Sequence, residues 1–152
     1  MTTDPGEAQL LADIEHVGWH MITVAEDDEG PGWTYSIGLF HSYGHPEVVV
    51  FGLPNDIMQG IVDTIAALIK AGSRFADGDE TGEVLSGYPC VFREVQPSHY
   101  EAHFGYAEWF YKSQTFPVLQ CVWPDKGGHY PWEADCHAGI VRLQPALWIN
   151  DN

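Results

Sequence analysis

Basic residues are scarce in this chain: 6 Lys and Arg stand against 22 Asp and Glu in 152 residues, a formal charge of −16 with histidines neutral. None occurs before Lys70, a stretch that holds eleven acids. A polyanion is bound by cations that displace its counterions, so this imbalance excludes nucleic acid as a partner and disfavours anionic membranes. Long hydrophobic runs are lacking as well. The longest, Ile57 to Ile69, is broken by Gln59, Gly60, Asp63 and Thr64, short of the ~18–20 apolar residues of a membrane span. Met1-Thr2-Thr3-Asp4 has neither the basic start nor the apolar stretch of a secretion signal. Cysteine is limited to Cys90, Cys121 and Cys136, an odd number without a CxxC, which points to a reducing, cytoplasmic setting. A hydrophobic fraction of 45% and an aromatic fraction of 13% exclude disorder.

What is present reads as one domain over 1–152 with its core at about 5–148. Asp4-Pro5-Gly6-Glu7 is a capping box with proline at the first helical position, followed by Leu10, Leu11, Ile14 and Val17 at helical spacing. Trp19 to Ala25 predicts a strand. Trp33, Tyr35, Ile37 and Leu39 alternate, predicting a strand over 33–40 buried on one side. Val48 to Leu53 is continuously apolar, as in a central strand. Ile57, Ile61, Ile65 and Leu68 form the stripe of the clearest helix, which Gly72 ends. Short strands around polar turns follow, with Cys90 to Val95 the clearest. A helix is predicted from a second capping box at Ser98 through Tyr111, then a strand over 116–123. Ile140 to Leu143 predicts a last short strand. The sum is an α+β domain: a mostly antiparallel twisted sheet, or a split barrel, with two to three packed helices.

Histidines recur four apart as His16/His20, His41/His45 and His99/His103, a spacing that puts two imidazoles on one helical face. Only His99/His103 falls on a predicted helix, and it lacks the glutamate of a zincin motif. Ser36 has no strand-to-helix elbow, and no phosphate-binding glycine loop occurs. Glu26-Asp27-Asp28-Glu29 must be solvated, because four adjacent carboxylates cannot share a core. Its spacing is not that of an EF-hand loop. Aromatic rings near turns, Trp33, Trp109 and Trp132 with His45, are candidates for lining a cleft or for filling the core.

Several segments together resemble a bacterial family, domain of unknown function 4262. They are Gly18-Trp19-His20, Trp33-Thr34-Tyr35-Ser36-Ile37-Gly38-Leu39, Gly44-His45-Pro46-Glu47, Phe51-Gly52-Leu53-Pro54, Gln120-Cys121-Val122-Trp123-Pro124-Asp125 and Pro131-Trp132. The resemblance runs from about residue 10 to 145 and implies no activity and no catalytic residues. The element order is also similar, at the level of fold alone, to split-barrel flavin reductase-like proteins. That likeness implies a flavin, yet the first half of the chain has no cation to neutralise its phosphate.

Two functional expectations follow. The first is a non-enzymatic acidic binding module that sequesters a basic protein, in the manner of an immunity or antitoxin protein. Glu26, Asp27, Asp28 and Glu29 would steer the partner, and Trp132 would anchor it. The alternative is a split-barrel-like protein, an oxidoreductase among the options, holding a flavin or a divalent metal through His45, His99 and His103 beside Trp33 and Trp109.

Overall fold

A computed structural model describes residues 4–150. Met1-Thr2-Thr3, on which the secretion-signal reading rests, lie outside the described residues, as do Asp151 and Asn152.

The chain runs α1 (Pro5–His16), β1 (His20–Val24), β2 (Trp33–Ile37), α2 (Leu39–Tyr43), β3 (Glu47–Phe51), α3 (Asn55–Lys70), β4 (Glu80–Thr81), β5 (Cys90–Glu94), a 3-10 turn (Pro97–His99), α4 (Tyr100–His103), α5 (Gly105–Tyr111), β6 (Val118–Val122) and α6 (Ala138–Leu143). The six strands form one sheet in the order β1-β2-β3-β6-β5-β4. Its pairings are antiparallel except for β3 against β6, where Glu47 meets Val118 and Val49 meets Gln120 in parallel register. The α+β expectation holds. The split barrel does not: β1 and β4 are the two ends of the sheet, and the two-residue β4 is too short to close it.

Helices cover both faces. On one, α1, α4 and α5 pack Leu10, Ile14, Phe104, Ala107 and Tyr111 against Tyr35, Ile37, Val49, Phe51 and Val118. On the other, α3 packs Met58, Ile61, Val62, Ile65, Ala66 and Ile69 against Val48, Val50, Phe92, Leu119 and Cys121. Each large aliphatic side chain so buried contributes roughly 1.5–3 kcal/mol. Two-sided cover explains the unbroken apolar run of β3, every residue of which is buried.

Sequence expectations are corrected at five places. There are six α-helices among the described residues, not two to three, though four of them have seven residues or fewer. The strand from Trp33 stops at Ile37, because Gly38 takes a φ of +113° and turns the chain into α2, sending Leu39 to the α3 side. That strand is buried on both sides, with Thr34 and Ser36 at 0% exposure. The helix expected through Tyr111 breaks at Phe104, whose ψ of +46° is not helical. Residues 138–143 form α6 rather than a strand, and the imidazole of His137 accepts from Gly139 N at 3.0 Å to start it.

Candidate functional site

The strand β3 has a different environment at each end. Beyond its C-terminal end the chain opens a cleft of about 760 Å³. One wall is Ala25 and Glu26 at the exit of β1 with Pro31 and Gly32 at the entry of β2; the other is Gly52-Leu53-Pro54 leading into Asn55 and Asp56 of α3, with Leu143 of α6. Gly52 N donates to Gly32 O at 3.0 Å and joins the walls at their base. Two glycines are needed here. A Cβ on Gly32 would lie 2.7 Å from Val24 O, and one on Gly52, whose φ is +81°, would lie 2.5 Å from Leu143 O.

The acidic turn continues the first wall. Asp27 Oδ1 accepts from Glu29 N at 2.9 Å and Gly30 N at 3.2 Å, and Asp27 and Gly30 exchange two backbone bonds. The loop is thus set by its own hydrogen bonds, with Glu26, Asp27, Asp28 and Glu29 all exposed. A second cavity, about 400 Å³, lies beyond the end of β6 between Asp125, Lys126, Gly127, His137 and Ile140. Asp125 accepts from the backbone of Gly127, His129 and His137. The bonds from His129 and His137 hold its carboxyl below the ordinary value.

At the N-terminal end of β3 the carboxylate of Glu47 is sealed. Ser36 Oγ (2.8 Å), Gly38 N (2.9 Å), Leu39 N (3.2 Å), Phe40 N (3.2 Å) and the Tyr111 hydroxyl all donate to it. Burial pushes its pKa above the ordinary value, while the donors from Tyr111, Ser36, Gly38 and Phe40 pull it back. Five donors match the ionised form, since a carboxylate only accepts. Ser36 also accepts from Val48 N at 2.9 Å, which binds both of its roles to the fold.

Homology adds one fact to this geometry: the family model for a domain of unknown function, DUF4262, matches residues 13–137. The chain belongs to that family. No curated protein and no solved structure matches it. The DUF4262 match spans Glu47 and every cleft residue except Leu143.

The structure brings Trp33, His103 and His99 together and leaves His45 on the other face of the sheet. His45, 1% exposed, donates from Nδ1 to Pro46 O at 2.8 Å and accepts at Nε2 from Phe75 N at 3.0 Å. Both ring nitrogens are therefore engaged by backbone. His103 lies on the opposite face of the sheet, its ring 5.1 Å from Trp33 and 5.6 Å from Phe51, and Trp33 Nε1 donates to His103 O. His99 is near, ring centroids 6.2 Å apart. His99 donates to Ile149 O, and His103 to His99 O. Among the described residues no group of three or more His, Cys, Asp or Glu is arranged to hold a metal ion. Trp109 stands on the outer side of α5, partly exposed. Trp132, 40% exposed, stacks on Tyr130 at 5.1 Å, meets Trp148 edge-on at 5.5 Å and carries the Arg93 guanidinium 4.9 Å from its centroid.

None of His45, His99, His103, Trp33, Trp109 or Trp132 lines the large cleft. Its charged side chains among the described residues are Glu26 and Asp56, which does not fit a flavin phosphate. Glu47 and Asp56 went unread as site residues in the sequence. The Gly-Leu-Pro that follows β3 was the available local signal.

Proposed function

We propose that this DUF4262 chain is a non-enzymatic binding module of the cytoplasm that sequesters a basic protein through its acidic face. The observation that carries this reading is the Glu26–Glu29 turn, four exposed carboxylates held in a self-bonded loop. Such a loop need not order itself on binding, which removes an entropic cost. A chain of net charge −16 also attracts a cationic partner over distances set by the Debye length and speeds its encounter. The Ser36 hydroxyl is absorbed in holding Glu47, and Cys121 is buried in the core, which supports binding over catalysis.

The test is kinetic. With a partner purified by affinity capture, the double variant Asp27→Lys/Asp28→Lys should slow association by roughly tenfold at low salt and flatten its salt dependence. Association that stays as fast, and as salt-sensitive, as with the parent chain would overturn the proposal.

A further inference from the structure

The cleft at the C-terminal end of β3 lies against the acidic turn, and its lining says more about what enters it than the charge of the turn does. We infer that it seats a short extended segment of the partner's backbone carrying a Lys or Arg, the cation between Glu26 and Asp56 and the aliphatic stem over Leu53, Pro54 and Leu143. This rests on the reading of the chain as a binder of basic proteins and specifies where and how that binding occurs.

Three observations converge. Size comes first: about 760 Å³ lies within the range of roughly 300–1,000 Å³ typical of organic-ligand sites, far more than a bare ion fills. Second, the charged side chains come from both walls, Glu26 from the exit of β1 and Asp56 from the first turn of α3, while Ala25, Pro31, Leu53, Pro54 and Leu143 provide apolar surface between them. A long cationic side chain has that composition, an apolar stem with a charged tip. The third observation separates a peptide from a free polyamine. The 16-residue α3 begins after Pro54, which supplies no side-chain cap. Pro54 O takes the N–H groups of Ile57 and Met58, and those of Asn55 and Asp56, two residues that line the cleft, have no side-chain acceptor among the described residues. A peptide carries carbonyl oxygens that can accept from them; a polyamine has no acceptor to offer. The exposed Asp27–Glu29 turn then extends the negative surface past the cleft, where only an occupant longer than the cleft can use it.

The test uses nitrogen-15-labelled full-length protein titrated with acetyl-Arg-Lys-Arg-Lys-amide, and separately with spermidine. The peptide should shift the amide signals of Gly32, Gly52, Asn55 and Asp56 in a saturable way and bind more tightly than spermidine. Because Glu26 and Asp56 are exposed, Glu26→Gln/Asp56→Asn should fold normally, and it should weaken the peptide by roughly 5- to 10-fold. Asp27→Asn/Asp28→Asn should weaken it no more than about twofold, as charges acting at longer range. Peptide shifts confined to residues 27–29 and insensitive to Glu26→Gln/Asp56→Asn would overturn the cleft while leaving the acidic-face reading intact. Spermidine binding as tightly as the peptide would overturn the occupant. Absence of any saturable shift with the peptide would overturn the inference too, and the kinetic test at Asp27 and Asp28 would then decide the broader reading by itself.

Discussion

The two ends of β3 treat acid in opposite ways. At the start of the strand a single carboxylate, Glu47, is buried and receives five donors. Past its end, Glu26 and Asp56 are exposed and line an open cleft. Composition counts these groups alike, but they do different work. A buried charge must have its partners built in, and those partners then fix the local fold: Ser36 from β2, the start of α2 and Tyr111 from α5 are drawn to one point. An exposed carboxylate fixes little and stays available. The closed end organises the sheet, and the open end leaves its carboxylates exposed.

The sharpest way to break this contrast is to remove the buried acid. Glu47→Ala leaves five donors without an acceptor, and each unmet buried donor costs about 1–3 kcal/mol. The expected loss is at least about 4 kcal/mol, comparable with the whole stability of a small domain. If that variant does not fold, Tyr111→Phe removes the charge-assisted bond to Glu47 and the acceptor of His41 N, and should cost about 1.5–3 kcal/mol in urea unfolding. A loss below about 0.5 kcal/mol for Tyr111→Phe would show that the donors of Glu47 contribute little to holding the sealed end together.

At the open end the sensitive position is not an acid but Gly52. Gly52→Ala must hold a φ of +81° and place a methyl group 2.5 Å from Leu143 O. Left-handed backbone costs an L-residue about 1–2 kcal/mol, and overpacking adds about 1–3 kcal/mol. Thermal unfolding should therefore show a clear loss, and amide signals of α6 and the cleft walls should move while those around Glu47 stay. Wild-type stability in Gly52→Ala would mean that α6 is loosely seated and the cleft ill-defined.

Sequence pattern revealed the closed core better than the open site. The stripe of α3, the unbroken run of β3 and the capping box at Asp4, whose side chain accepts from Glu7 N at 3.1 Å, are local signals with local causes. Leu39 misled because alternation continues through it, while Gly38 had already turned the chain. Ile140 and Val141 looked like strand residues, but His137 caps a helix there. Glu47 gave no sign: beside Pro46 it looks like any exposed acid, and only the meeting of β2, α2 and α5 shows otherwise. The cleft joins residues 25, 32, 52, 56 and 143, and such long-range convergence has no period to read. The Glu26–Glu29 turn was legible as exposed because desolvation forbids anything else.

Acidification gives the finest test of the two ends, since His45 belongs to the closed one. Burial lowers its pKa most, the Pro46 carbonyl pulls it back up in part, and the nearby Arg74 charge adds a smaller push downward. Protonation would put a hydrogen on Nε2, where Phe75 N already donates, so the neutral ring is the one the fold accepts. The sign follows from proton counting. With the folded pKa below the unfolded value of about 6.5, the unfolded chain binds the proton first. Stability is then full above about pH 6.5 and falls as pH drops towards the depressed folded pKa, by up to about 1.4 kcal/mol per pH unit for one group. Ring-proton NMR at pH 6.5 should show His45 still neutral. A His45 midpoint at or above pH 6.5 would mean that water reaches this ring and that the closed end of β3 is more open than its hydrogen bonds imply.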